Sequence, residues 1–283
     1  MIMKIIDGGT SDHWIHLEAA IQLQASRHHA HLVSRETGQL NMICVMLSLF
    51  AQTALPVAEP TPWVTEESIP DYTDHHYGNS SIEYLYGITA TIARSIDRIY
   101  RITKSLAYYK SGGYSAVFLE ACETLIDDLH SWTISSEPFS SIVMEQEDTI
   151  LIARAQTRAF HYASLIYYYR SVQNCDRQCL QLEQQATLAA MNEAEDLKIV
   201  SSNASDQPAP ITWPAFIASC EAVGEFRMEW DRWWDRLQTY HMKNFSKQQS
   251  IVHRVWAELD RSSNNRLDWR EVLAALGIRI IPV

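Results

Sequence analysis

Apolar residues recur at intervals of three and four along most of this chain, the spacing of one face of an α-helix, and no strong strand alternation interrupts them. The clearest run is Ile82, Leu85, Ile88, Ile92, Ile96 and Ile99. It predicts a long helix that starts at Ser80 or Ser81 and ends near Lys110, where Gly112 and Gly113 stop it. Ser11 or Asp12 can accept from the free amides of a first turn, so a helix is expected from there to about Val33, with a second over about 40–53. Pro56, Pro60, Pro62 and Pro70 then break the pattern, and 55–79 reads as a long loop. Further helices are predicted at about 115–133, 147–171 and 174–198. After a stretch of linker composition come four more, at about 214–223, 226–240, 246–259 and 269–275. The helical body 1–198, the linker 199–212 and the C-terminal helical group 213–283 together predict an all-α fold, an irregular bundle of antiparallel helix pairs.

Composition supports this picture and narrows the function. Nine glycines and nine prolines leave few breakers among 283 residues, a length that can bury a substantial core. The formal charge of -11 repels phosphate backbones, so direct nucleic-acid binding is not expected and any DNA contact needs a partner. The start of the chain lacks the basic and apolar regions of a signal peptide, and the longest apolar stretch, about 42–50, is too short to cross a bilayer. An intracellular protein without membrane contact is the expectation. The five cysteines, Cys44, Cys122, Cys175, Cys179 and Cys220, are dispersed and read as reduced thiols. Cys175 and Cys179 are four apart, but a zinc site would need two further ligands.

The C-terminal residues are more specific. Trp213-Pro214-Ala215-Phe216-Ile217-Ala218, then Arg227 and Trp230, then Val255-Trp256, and finally Trp269 with Val272-Leu273 occur in that order. This ordered set resembles the end of the fungal-specific transcription factor domain, the helical regulatory module of binuclear zinc-cluster regulators. Upstream, Trp14-Ile15-His16-Leu17 with Ala19-Ala20 resembles that family's Trp-His-Leu helix, although a single residue separates Trp from His here. Tyr77-Gly78-Asn79-Ser80 and the stretch from Arg158 to Arg170 resemble its Gly-x-Ser helix start and its long central helix. A binuclear zinc cluster needs six closely spaced cysteines, and the five here are dispersed. The resemblance therefore brings no DNA-reading module with it, and because the Trp-His-Leu motif already stands at Trp14 it is expected to begin inside the family's domain.

Two groups of side chains are candidates for chemistry. Arg154, Arg158, His161 and Tyr168 follow one another at steps of four, three and seven, so they line one stripe of the predicted 147–171 helix. Arg and His among apolar and aromatic residues could bind an anionic or phenolic ligand in a helical pocket. Asp260, Ser262, Asn264, Asp268 and Glu271 fall on the twelve-residue calcium-loop template, with Asn265 where a glycine is usual. The competing reading is a polar turn in which Asp268 caps the last helix and Glu271 reaches back to it. Histidines also cluster at His13 and His16, at His28, His29 and His31, and at His75 and His76, without a fixed third ligand. No phosphate loop, nucleophile elbow or kinase motif is present, and no cofactor is expected.

The resemblance implies a transcription-regulator effector or ligand-sensing domain, nuclear, whose DNA contact is supplied by a protein partner. The alternative is an enzyme on the same fold, cytoplasmic, working in fungal secondary metabolism. A dehydrating cyclase or cycloaddition catalyst would suit an aromatic-lined helical pocket, because such reactions need orientation and a few hydrogen bonds rather than a nucleophile. In either case a small molecule, as ligand or as substrate, is a natural partner.

Overall fold

The computed structural model describes residues 12–26, 35–57, 60–63, 86–109, 113–139, 147–201, 210–264 and 266–283. Among these residues the protein is all-α, with ten α-helices and no strand, as the periodicity predicts. In chain order the helices are α1 (Asp12–Ser26), α2 (Arg35–Thr53), α3 (Ala90–Tyr109), α4 (Ala116–Ser131), α5 (Glu147–Ser171), α6 (Gln181–Ser201), α7 (Trp213–Cys220), α8 (Glu225–Leu237), α9 (Lys243–Arg261) and α10 (Trp269–Ala275). None of them is long and apolar enough to cross a membrane.

α3 shows how the predicted stripe works. Ile92, Ile96, Ile99 and Ile102 are all buried on one face. The helix nevertheless begins at Ala90, later than Ser80 or Ser81. Gly87 has a φ of +62°, a left-handed conformation that a continuous helix cannot contain, and Thr89 then caps the first turn by accepting from the Ile92 amide at 3.4 Å. Ile88 is fully buried but lies ahead of the helix, and residues 80–85 lie outside the described residues. A β-carbon at Gly87 would run into the Ile211 side chain and the Gln156 carboxamide. Gly87→Ala is therefore expected to lower stability by about 2–4 kcal/mol, the left-handed cost plus overpacking, measurable by urea unfolding. A loss under about 0.5 kcal/mol would show that neither cost operates.

α5 and α6 form the central antiparallel pair. Arg158 on α5 meets Glu193 on α6 at 2.6 Å, at matching distances from the connection between them. The predicted 174–198 helix is divided: a 3-10 turn at Arg177–Leu180, capped by Asp176, precedes α6, which itself runs to Ser201 and so into the first residues of the expected linker. Residues 202–209, and 27–33 beyond α1, lie outside the described residues. The predicted 226–240 helix is also interrupted, with α8 ending at Leu237 before a 3-10 turn, Gln238–Tyr240.

α7 packs against α5 and α6 and against α8 and α9. All eight of its residues are buried. Trp213 stacks on Phe160 of α5 with centroids 5.5 Å apart and lies 5.9 Å from Phe50 of α2, while its indole N–H donates to Thr53 Oγ1 at 2.9 Å. Gln184 of α6 donates to the Ala218 carbonyl at 2.7 Å and accepts from the Trp230 indole at 2.9 Å, so one buried amide holds α6, α7 and α8 together. Trp256 of α9 donates to the Ser219 carbonyl at 2.7 Å, and Trp269 of α10 meets Phe216 edge-on at 5.6 Å. One continuous core includes residues from Leu17 to Ile281.

Candidate functional site

The α5 stripe keeps its spacing but its four members face different neighbours. Arg154 is exposed. Arg158 turns to Glu193 on α6. His161 is buried against the segment that follows α4. Tyr168 is hydrogen-bonded to Gln173 and lies near Cys122 of α4, with burial raising its phenol above the usual range. The structure therefore brings His161 together with residues that the sequence analysis does not single out.

Those residues are Trp132 and Glu137. The chain leaves α4 in an extended conformation at Trp132 and makes a 3-10 turn at Ile134–Ser136 before Glu137. Trp132 stacks on His161, with centroids 4.2 Å apart and planes 20° from parallel, and its indole donates to Glu137 Oε2 at 2.6 Å. Burial, reinforced by the nearby His130, lowers the His161 pKa to about 4, so the ring is neutral near pH 7. Its Nδ1 has no hydrogen-bond partner, and neither has Glu137 Oε1. An aromatic and an acid within the polar run from Ser131 to Glu137 are the only sequence signal here, and they carry no periodicity.

A second buried cluster lies where α5, α7 and α10 meet. Arg170 at the end of α5 bonds Glu221 at 2.7 Å, and both side chains are almost fully enclosed. The same guanidinium donates to the carbonyls of Cys175, Arg266 and Leu267. Burial pushes the Glu221 carboxyl up to about 7 despite the pull of Arg170, and its Oε2 has no hydrogen-bond partner. Arg270 of α10 lies over the Tyr167 ring, 5.5 Å from its centroid, and pairs with Asp268. Burial alone would raise Asp268, but the Arg270 charge and hydrogen bonds hold its carboxyl below the usual value. Arg170 and Glu221 are far apart in sequence, so neither marks the other.

The side chains of the calcium-loop template serve the turn and the helix cap. Asp260 takes both ends of the Arg227 guanidinium, at 2.7 and 2.8 Å. Ser262 Oγ accepts from the Asn264 amide and Asn264 Oδ1 from the Arg266 amide. Asp268 and Glu271 form a capping box on α10. Among the described residues no group of three or more His, Cys, Asp or Glu side chains could hold a metal ion. Asn265 lies outside them, as do the side chains of His13, His28, His29, His31, His75 and His76; His16 is exposed. An open cleft of about 320 Å³ beside the loop is floored by Leu267, Val272 and Leu276.

A family model described as the fungal specific transcription factor domain matches residues 1–282. The chain belongs to this family. No curated protein and no solved structure matches it. The residues by which the sequence resembles the end of the fungal transcription factor domain, Trp213, Phe216, Trp230, Val255, Trp256, Trp269, Val272 and Leu273, are all buried. Arg227 is the polar member of that set. It clamps Asp260 and lies over the Trp256 ring at 5.3 Å, fixing α8 against α9. Most of these residues thus serve packing.

Proposed function

We propose that the chain is the effector domain of a fungal transcription regulator, acting in the nucleus, whose helical body senses a small molecule while a partner protein contacts DNA. The observation that carries this reading is the family match over residues 1–282. The net charge of -11 supports the assignment of DNA contact to a partner, since an acidic body gains nothing from phosphate. Buried polar atoms without partners beside His161 on α5 support a ligand-sensing role for that helix, because such atoms invite a hydrogen-bonding molecule.

The test is deletion of the gene in its host, with transcripts of neighbouring genes and small-molecule profiles recorded from the same cultures. Collapse of those transcripts is expected. Unchanged transcripts with one accumulating pathway intermediate would overturn the regulatory reading and make the protein the enzyme that consumes that intermediate.

A further inference from the structure

The segment after α4 places the protein's own indole where a ligand would fit. Trp132 lies flat on the neutral ring of His161 and offers its N–H to Glu137, which is 8% exposed. A stacking surface beside a buried acceptor is the arrangement by which proteins hold planar heterocycles.

Indole leaves much of this site unused. It has one donor, whereas a carboxylate readily takes two parallel donors, one on each oxygen. Glu137 Oε1 is buried without a partner, as are His161 Nδ1 and, one turn earlier on α5, Thr157 Oγ1. His161 and Thr157 are 5% and 0% exposed, so water does not reach them freely. Buried polar atoms are rarely left so, and the two on the residues that touch Trp132, Glu137 Oε1 and His161 Nδ1, point to a site that a better-matched molecule would satisfy. Trp132 itself stands in an extended stretch between α4 and a 3-10 turn, so it can swing out without unwinding a helix.

We propose that Trp132 is a displaceable lid over a site for a flat amino-heterocycle, which stacks on His161 in place of the indole and presents two adjacent N–H donors to the two oxygens of Glu137. The site stands on this geometry alone and holds whether the domain regulates or catalyses.

The probe is 2-aminobenzimidazole, similar in size to indole and carrying adjacent N–H donors on one edge. Benzimidazole, which lacks the exocyclic amine, is the control. Binding to the purified full chain is read by isothermal titration calorimetry. Wild type is expected to bind the probe more tightly than the control. Trp132→Ala, which removes the competing ring, should tighten probe binding by roughly tenfold or more. Glu137→Gln should weaken it by roughly tenfold or more. Should Trp132→Ala not fold, Trp132→Phe keeps a ring but releases Glu137, and tighter binding there carries the same meaning. Equal affinity for probe and control, no loss in Glu137→Gln, or no binding up to about 1 mM by wild type and the folded Trp132 variant would each overturn the proposal.

Discussion

Replacing Arg170 by alanine is expected to destabilise the domain by about 3–5 kcal/mol near pH 8 and by clearly less near about pH 5.5. The substitution removes the cation from a pair whose side chains are 2% and 0% exposed, and it strips three carbonyls of a donor. A buried carboxylate left without its partner is costly, but Glu221 can escape that cost by taking up a proton. Its pKa already stands at about 7, above an ordinary 4.5, because burial outweighs the attraction of Arg170. Between those two values the folded chain holds a proton that the unfolded chain releases. The contribution of Glu221 to stability is therefore full below about 4.5 and falls as pH rises through the folded pKa. Loss of Arg170 raises that folded pKa further and extends the falling window upward. Urea unfolding of wild type and variant at both pH values checks the difference. An equal penalty at the two would mean that the lost carbonyl bonds, and not the charge on Glu221, set the cost. Glu221→Gln in the wild-type background should flatten the pH dependence across the same window.

The all-α class and several elements were legible because local patterns determine them. The helix at Glu147–Ser171 and the helix at Trp269–Ala275 have the predicted bounds, the second because Asp268 and Glu271 form a capping box that the sequence spells out. The start of α3 was not legible. Its apolar spacing runs on through Ile88, but the chain turns left-handed at Gly87, where Ile211 and Gln156 leave no room for a β-carbon, and spacing registers neither the turn nor those distant residues. The α5 stripe was legible as a stripe and not as a site. Arg154 and Tyr168 are fourteen residues apart, so about 21 Å separates them along the axis, more than a small ligand spans. What each faces depends on which helix lies alongside: Glu193 of α6 takes Arg158, and Trp132 covers His161. Trp132 and Glu137 gave no periodic signal because the segment that carries them is irregular. The Arg170–Glu221 pair joins residues 51 apart, a contact that only the tertiary arrangement creates.

Trp213→Ala should cost about 3–5 kcal/mol, as large aromatic truncations in a core do, and should loosen α2, α5 and α7 together. The indole is fully buried at the start of α7, stacked on Phe160 of α5, tilted against Phe50 of α2 and edge-on to Tyr167 at 6.4 Å. Its removal leaves a cavity that three helices would have to close, and their own packing against the rest of the core prevents them from doing so fully. The hydrogen bond to Thr53 is a smaller part of the loss. Thr53 Oγ1 also donates to the Phe50 carbonyl at 2.8 Å, so its hydroxyl is not stranded when the indole goes. Trp213→Phe, which keeps a ring against Phe160, should consequently cost only about 1–2 kcal/mol. Hydrogen exchange discriminates further: in Trp213→Ala the amides of α2 and α7 should lose protection by similar factors, because the same ring holds both. Met228→Ala, at a side chain 56% exposed, should stay within about 0.5 kcal/mol of wild type and serves as the control. If Trp213→Ala lost no more than Trp213→Phe, the indole would be filling space that the core can close without it, and α7 would not depend on this ring for its hold on α2 and α5.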